Sequence, residues 1–396
     1  MRMLLERCFW FLAILLGLDA GCPAAAQEPT CPTLSPELNA WECLSVKAMR
    51  LASALPPARG NAHGDDPGAA QLGFAIFYDA RFSSNQSLRC ASCHAPDRGF
   101  QDGKPVAIGL ATLTRNTPTA LDVAQMTGDY FWDGRADSLW SQAIFPLENR
   151  AEMGLTRLEL AHRIATSYAS AYAGVFGALP ALDDMARFPA VGSPGDASYE
   201  GMASDDRDAV DRVAANVGKS LEAYERMIPT GTAAIDRFVD GDATALNDGQ
   251  RRGLVTFVHT GCVDCHSNGM FTDQAFHNLG MPSIGAVVDR GRADGLVVLA
   301  ANRFNSQGQY WDGPRPPPPP APTDADVGAF RTPSLRNVSV TAPYAHDGRF
   351  ASLREVIVVH PAAGALSSGD VDDVIAFLGA LEGDYPPPPW NDWPDR

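Results

Sequence analysis

Two copies of the motif Cys-x-x-Cys-His constrain this chain of 396 residues more than any other feature. They comprise Cys90, Cys93 and His94 in the first copy and Cys262, Cys265 and His266 in the second. Two thiols on one helical turn can each form a thioether with a vinyl group of the same haem, and the histidine that follows can ligate the iron. The motifs therefore predict two covalently bound c-type haems, around which the chain must fold.

Zinc binding and thiol–disulfide exchange are the alternative uses of paired cysteines. A zinc site needs a further pair of Cys or His residues nearby, and a redox pair does not require the histidine. Since the complete motif occurs twice in a chain with only 8 cysteines, covalent haem attachment is the favoured interpretation.

The first residues predict export from the cytoplasm. Arg2 and Arg7 precede an apolar run at positions 8–18, and three alanines at positions 24–26 follow it. This order is typical of a cleavable signal peptide, and the run is too short to span a bilayer. We interpret residues 1–26 as the signal peptide, and we expect a soluble periplasmic protein with no membrane segment in its mature form.

Two cysteines remain outside both the motifs and the predicted signal peptide, Cys31 and Cys43. An oxidising compartment allows a disulfide between them. We expect such a bond to have a structural role.

The chain is acidic, with a formal net charge of −16. The predicted signal peptide contains equal numbers of basic and acidic residues, so its removal leaves this charge unchanged. A surface of this sign disfavours nucleic acid and anionic lipid, and favours solubility or a basic partner.

The length that remains after export, about 370 residues, is enough for two domains with cores of their own. We predict an N-terminal haem domain at 27–240, a C-terminal cytochrome c-like haem domain at 241–385, and a tail at 386–396. Apolar residues recur every three to four positions, which predicts a mostly α-helical fold. One predicted helix is opened by Ser35 and Pro36 and runs to Leu51. A second follows a capping box at Thr156 and Glu159 and runs to about residue 176. The other predicted helices are the segments 205–228, 243–258 and 371–381.

Three segments have the composition of surface insertions or tails. Residues 189–207 are rich in Gly, Ser and Asp, and residues 314–322 form a proline run that favours polyproline II. Trp390 and Trp393 lie in the tail, where they either dock a partner or pack back on the body.

The segments around and after the haem motifs resemble the bacterial di-haem cytochrome c peroxidase and MauG superfamily. The resemblance spans residues 72–381 and is carried by 131–139, 330–337 and 341–349. It implies two cytochrome c-like domains with one haem each, and a calcium ion and a tryptophan between them. One haem reacts with peroxide, and the other stores or relays oxidising equivalents.

The same resemblance assigns the haem ligands and the relay. It implies that His94 is the proximal ligand of the peroxide-reacting haem and that His266 is the proximal ligand of the second haem. Trp132 matches the inter-haem tryptophan, through which electrons pass between irons too far apart for one fast step.

Gln142 and Glu152 match the pair of side chains above the first haem, and Pro146 matches a pocket proline between them. Heterolysis of peroxide needs a group that takes a proton from one oxygen and returns it to the other. A carboxyl group in a confined apolar pocket has a raised pKa that suits this task. We therefore expect Glu152 to be the acid/base and Gln142 to orient peroxide or water.

Leu110 is the first departure from the peroxidase pattern. Many peroxidases of the family have a histidine on the loop at 106–110, and this histidine closes the first haem until the second is reduced. Because a leucine has no ligand atom, the first haem should be five-coordinate and ready without reductive activation, as in MauG-like enzymes.

His360 is the second departure, at the place where the peroxidases have methionine and MauG has tyrosine as the far ligand of the second haem. It predicts a bis-histidine haem, whose potential is lower than that of a haem with thioether ligation. His277, Met270 and Met281 are rivals for this position, but they lie close to the attachment motif in the sequence.

The resemblance also implies an inter-haem calcium ion. Its expected protein ligands are the Asn116 side chain and the carbonyl groups of Thr341 and Pro343, with water completing the shell.

We therefore predict a MauG-like di-haem oxidase that uses hydrogen peroxide to form a high-valent di-iron state and then oxidises a tryptophan or tyrosine of a periplasmic partner protein. A branch of the superfamily found with methanobactin genes oxidises a partner's tryptophan to kynurenine, and His360 favours that branch or another outside MauG itself. One alternative is a constitutively active peroxidase that takes electrons from a small cytochrome c or cupredoxin. The other is a non-enzymatic electron carrier, against which Leu110, Gln142 and Glu152 argue.

Overall fold

The computed structural model describes residues 30–31, 34–282, 284, 288–364 and 366–385. The predicted signal peptide at 1–26 and the tail at 386–396 lie outside the described residues, so both stay predictions. Among the described helices, none combines the length and apolar character that crossing a membrane requires.

Helices account for most of the regular structure, as predicted. The α-helices are α1 Ala40–Ala48, α2 Pro67–Phe77, α3 Cys90–Cys93, α4 Leu139–Glu148, α5 Arg157–Ser167, α6 Ala169–Phe176, α7 Ala197–Glu200, α8 Ser204–Glu225, α9 Ala234–Val239, α10 Asp248–His259, α11 Cys262–Cys265, α12 Arg292–Ala301, α13 Leu353–Val359 and α14 Ser368–Gly379. Short 3-10 helices lie at Ala80–Phe82, Pro96–Arg98, Val123–Gln125, Asp324–Asp326, Val338–Val340 and Pro361–Ala363. Strands β1 Thr30–Cys31 and β2 Ser35–Asn39 pair antiparallel, as do β3 Phe276–His277 and β4 Phe330–Arg331.

The first core packs α2, α4 and α5 around the long helix α8. The approach of α2 to α8 depends on Gly73, where a Cβ atom would lie 1.9 Å from the carbonyl oxygen of Ser220. Only glycine permits this contact. It brings the rings of Phe77 on α2 and Tyr224 on α8 to a centroid distance of 5.0 Å.

The second core packs α10 against α14. Its centre is a cluster of Phe257, Phe271 and Phe377, whose ring centroids lie 5.3 to 6.3 Å apart. Leu38 and Val46 also belong to this core, although they precede the first haem motif in the sequence. The N-terminal segment therefore packs with the second motif, and the domain boundary at residues 240 and 241 stays a prediction.

The capping box at Thr156 and Glu159 is confirmed, since Thr156 Oγ1 accepts from the Glu159 amide and the Glu159 carboxylate accepts from the Thr156 amide. The helix it begins ends at Ser167, and α6 follows after Tyr168. The predicted helix at 205–228 corresponds to α8, 243–258 to the shorter α10, and 371–381 to α14.

The prediction that Ser35 and Pro36 open a helix is wrong. Both residues lie in strand β2, and the helix begins only at Ala40. The reason is a stronger cap further along, because Asn39 Oδ1 accepts from the amides of Trp41 and Glu42 while Glu42 Oε2 accepts from the Asn39 amide. This reciprocal pair satisfies more of the free amides at the helix start than a lone serine would.

Residues 189–207 are only partly a surface insertion. They contain α7, and Tyr199 within it is 1% exposed, with its hydroxyl donating to Asp211 Oδ1 at 2.8 Å. Cys43 is disulfide-bonded, and the side chain of Cys31, its predicted partner, lies outside the described residues.

Candidate functional site

The first motif forms the single turn α3, and the imidazole of His94 follows it. His94 Nδ1 lies 3.1 Å from the carbonyl oxygen of Phe100. Because a carbonyl oxygen can only accept, Nδ1 carries the proton and Nε2 is left as the ligand atom. Burial lowers the pKa of His94, which keeps the ring neutral and able to bind a metal.

The second motif repeats this arrangement in α11. His266 Nδ1 lies 3.0 Å from the carbonyl oxygen of Phe271, and burial lowers the pKa of His266 to about 4. Phe100 and Phe271 both have positive φ, 52° and 51°, which turns each carbonyl group back toward its histidine. Sequence reasoning missed these two residues, although an aromatic residue five or six positions after each histidine was a usable signal.

The chemistry of both motifs fits a covalently attached haem. Cys90, Cys93, Cys262 and Cys265 are free thiols, and none is joined to its neighbour in the motif. The second motif opens on a cavity that is mostly apolar, and its lining includes His266, Trp132, Asn116 and His360. A flat apolar macrocycle with an iron ligated by His266 matches these donors and this lining.

His360 lies opposite His266 at the end of α13. Their ring centroids are 6.3 Å apart. Two imidazoles that bind one metal from opposite sides, with each nitrogen about 2 Å from the metal, have centroids roughly 6 Å apart. His360 Nδ1 accepts a long hydrogen bond of 3.3 Å from the Ala362 amide. Ligation of a metal through Nε2 would break this bond, because Nδ1 would then carry the proton.

The rivals of His360 have other surroundings. His277 Nε2 lies 2.8 Å from Asp273 Oδ2, and this carboxylate holds the ring. Met270 and Met281 also line the cavity, and Met270 packs in a small apolar cluster with Leu51. The spacing of two facing imidazoles favours His360 as the far ligand.

A repeated segment relates the two halves of the site. Trp132-Asp-Gly-Arg and His346-Asp-Gly-Arg each precede a helix that begins after a serine cap, Ser138 for α4 and Ser352 for α13. Pro146 and His360 each lie eight positions after that serine. The first motif therefore has a side chain without a ligand atom where the second has an imidazole.

The predicted acid/base pair lies on α4 and in the turn that follows it. Gln142 and Pro146 are one helical turn apart and half-buried, and the Pro146 carbonyl oxygen accepts from the Met153 amide at 3.1 Å. Glu152 Oε1 accepts from Asn149 Nδ2 at 2.7 Å. Burial raises the pKa of Glu152, although Asn149 and the positive charge of Arg135 oppose the shift.

Glu152 lies near the first motif. Burial is the main cause of the raised pKa of the Cys90 and Cys93 thiols, and neighbouring charges add to it. The Glu152 carboxylate is one of these charges. Sequence reasoning gave no role to Arg135, whose guanidinium stacks 3.5 Å from the centroid of Phe131 and binds Asp133 Oδ1 at 3.1 Å.

The loop that includes Leu110 is bound to the turn that includes Glu152. The amide of Leu110 donates to the Glu152 carbonyl oxygen at 3.0 Å, and the amide of Ala111 donates to the Ala151 carbonyl oxygen at 2.9 Å. Leu110 is 37% exposed and packs toward Gly154. These backbone bonds hold the loop and the Glu152 turn as one unit.

Trp132 and the residues predicted to bind calcium share the cavity of the second motif. Trp132 Nε1 donates to the Asn116 carbonyl oxygen at 3.0 Å, and Thr341 and Pro343 line the same cavity. Asn116 Nδ2 donates to the carbonyl oxygens of Lys104 and Pro105 at 2.9 and 3.3 Å. This orients its side chain, and the calcium ion itself stays a prediction.

Comparison with known proteins finds similar chains. Residues 67–244 match the family model for di-haem cytochrome c peroxidase. The methylamine utilization protein MauG of Methylorubrum extorquens is 28% identical over 91% of this chain and 92% of the relative. The cytochrome c551 peroxidase of Pseudomonas aeruginosa is 29% identical over 80% of this chain and 79% of the relative.

Two solved structures show the same fold. A MauG-like protein associated with microbial copper homeostasis has a TM-score of 0.60 at 24% identity, and the match covers 84% of this chain and 95% of that one. The di-haem peroxidase BthA of Burkholderia thailandensis has a TM-score of 0.62 at 22% identity, and the match covers 80% of this chain and 86% of that one.

Proposed function

Because this chain belongs to the superfamily of di-haem cytochrome c peroxidases and MauG proteins, we propose that it is a periplasmic, MauG-like di-haem oxidase. It would take its oxidising power from hydrogen peroxide and remove electrons from a tryptophan or tyrosine side chain of a partner protein. Two haem c groups, held by the two motifs, supply the redox chemistry when bound, and calcium completes the region between them.

The observation that carries this proposal is the contrast between Pro146 and His360. The two residues hold equivalent places in the repeated segments. His360 faces His266 at a distance suited to a doubly ligated metal, whereas the side chain of Pro146 has no atom that could ligate one. One half of the protein would therefore react with peroxide while the other half is closed to it.

Glu152 and Gln142 would handle the protons of peroxide at the open site. The Glu152 carboxylate takes a proton from one peroxide oxygen and returns it to the oxygen that leaves as water. The Gln142 amide orients the oxidant. The hydrogen bond from Asn149 to Glu152 keeps the carboxylate in place at 2.7 Å.

Trp132 would carry electrons between the two halves, since it lines the cavity of the second motif and its indole nitrogen is held by Asn116. Ligation by both His266 and His360 would give a haem at the second motif a lower potential than the methionine of the peroxidases, which would favour storage of oxidising equivalents. This favours oxidation of a partner's side chain, with conversion of tryptophan to kynurenine as the preferred chemistry, over simple detoxification of peroxide.

Spectroscopy of the ferric holoprotein tests the proposal. It should show one high-spin and one low-spin haem, and peroxide added without any reductant should change the absorption of both. Two low-spin haems would instead indicate an electron carrier. A reaction that begins only after one electron is supplied would indicate a gated peroxidase, and rapid peroxide turnover with a small cytochrome or cupredoxin would favour the constitutive peroxidase.

A further inference from the structure

Four aromatic rings from α2, its C-terminal cap and α8 form a cluster that reaches His94 through Phe77. Phe77 is closest to the histidine, with ring centroids 6.4 Å apart. The ring of Tyr224 lies 5.0 Å from Phe77, and the ring of Tyr78 lies 5.2 Å from it. Phe74 closes the cluster, 4.9 Å from Tyr78 and 5.5 Å from Tyr224. The two tyrosines therefore contact His94 through a single intervening ring.

The hydroxyl groups of Tyr78 and Tyr224 are hydrogen-bonded to each other at 3.1 Å. Tyr224 is 0% exposed, whereas Tyr78 is half-buried. Burial raises the pKa of both phenols, so both are neutral at physiological pH. A buried phenol cannot keep a positive charge at low cost, so it gives up an electron readily only if its proton leaves as well. The bond to Tyr78 provides that route for Tyr224.

We propose that Tyr78 and Tyr224 form an internal electron donor to the haem site at His94, which acts when no partner protein supplies electrons. This inference rests on the proposed function, which provides hydrogen peroxide as the oxidant. One peroxide molecule takes up two electrons and two protons and becomes two molecules of water. Each tyrosine supplies one electron and, as its O–H bond breaks, one proton, and a neutral phenoxyl radical remains.

Two protons leave to solvent, and the peroxide takes up two protons from solvent. When Tyr224 is oxidised, its proton moves along the hydrogen bond to the oxygen of Tyr78, which releases one proton from its half-buried side and remains a phenol. When Tyr78 is oxidised, it releases the second proton by the same side. The electrons leave through Phe77 toward His94. The pair would protect the protein by placing the oxidation at two defined side chains when the partner is absent.

Tyr172 provides a matched control within the same core. It is 3% exposed, like Tyr224 it lies in the first core, and its hydroxyl accepts from Asn216 Nδ2 at 2.8 Å. Its ring contacts Phe176 at 5.2 Å. A purely structural role of buried tyrosine hydroxyls would make Tyr172→Phe and Tyr224→Phe equivalent in any redox measurement.

The test uses the haem-loaded protein, mixed with one equivalent of hydrogen peroxide in the absence of partner and frozen for electron paramagnetic resonance. We expect a tyrosyl radical whose spectrum narrows when the protein contains ring-deuterated tyrosine. Tyr224→Phe and Tyr78→Phe should each lose most of this signal, and Tyr172→Phe should retain it. Peptide mass spectrometry should find oxidised tyrosine at positions 78 and 224 after repeated additions.

The outcomes separate the inference from the function on which it rests. If the absorption of the wild-type haems changes with peroxide but the radical persists in both variants, the tyrosine pair is not the donor and the proposed function stands. If peroxide changes no haem absorption, the proposed function fails and the inference fails with it. Equal haem content and equal resting spectra in all variants exclude misfolding as the cause of a lost signal.

Discussion

Trp132 and His346 hold the same place in the two Asp-Gly-Arg segments, and the backbone of Asn116 connects them. Trp132 Nε1 donates to the Asn116 carbonyl oxygen at 3.0 Å, and the Asn116 amide donates to the His346 carbonyl oxygen at 2.8 Å. His346 is itself stacked on Phe330, with centroids 3.6 Å apart. One residue therefore links the two halves of the site at the position expected for electron relay.

Replacement of Trp132 should separate the two haems electronically. In Trp132→Phe we expect the peroxide-dependent absorption change of the second haem to slow by roughly tenfold or more, which is a barrier higher by about 1.4 kcal/mol. The lost hydrogen bond to Asn116 should cost about 1 kcal/mol of unfolding free energy. Stopped-flow absorption measures the rate, and Trp140→Phe is the control because Trp140 lies in the first core. Equal slowing in both variants would contradict the relay.

The ligand of the second haem can be identified by a pair of alanine variants. His360→Ala should convert the low-spin ferric signal into a high-spin one, because the metal loses its far imidazole. His277→Ala should leave the low-spin signal unchanged, since His277 is held by Asp273 at 2.8 Å. Electron paramagnetic resonance of the resting protein decides between them, and the reverse pattern would show that His360 is the wrong ligand.

The equivalence of Pro146 and His360 predicts the effect of a new histidine. Pro146→His should introduce a sixth ligand at the first haem, so that both haems become low-spin and peroxide no longer reacts. Pro146→Ala should keep the high-spin signal and the reaction. A high-spin first haem in Pro146→His would mean that the repeat in sequence is not matched by a repeat in ligand geometry.

Removal of the Glu152 carboxylate should slow the reaction with peroxide by about a hundredfold or more, which is the usual contribution of a general acid/base. The variant is Glu152→Gln, and the measurement is the second-order rate constant for the peroxide-dependent absorption change. Glu148→Gln serves as the comparison, because Glu148 binds Arg157 instead. An unchanged rate in Glu152→Gln would remove Glu152 from the proton transfer.

The pH dependence of the same rate constant should report on Glu152. Only the ionised carboxylate can take a proton from peroxide, and burial raises its pKa. The rate should therefore fall as the pH is lowered through this raised pKa, above the range of an ordinary glutamate. Asn149→Ala removes a hydrogen bond that favours the ionised form of Glu152, so the fall in rate should occur at higher pH in this variant. A shift to lower pH would contradict the assignment.

The sequence by itself determined the features that depend on near neighbours. Two cysteines and a histidine on one turn define a haem attachment site whatever the rest of the chain does, and the reciprocal cap at Thr156 and Glu159 begins a helix because its partners are three residues apart. Ser35 shows the limit of this reasoning, since the better cap at Asn39 competes with it. The family resemblance added roles for Trp132 and Glu152 that spacing alone does not contain.

Only the tertiary structure decided which distant groups meet. His266 and His360 face each other because α13 packs beside α14 and places His360 at the cavity of the second motif. The contact of Tyr224 with Phe77 depends on a glycine at the crossing of two helices. The physical reason is that local hydrogen bonds are set by spacing along the chain, whereas contacts between remote residues follow from the packing of whole helices.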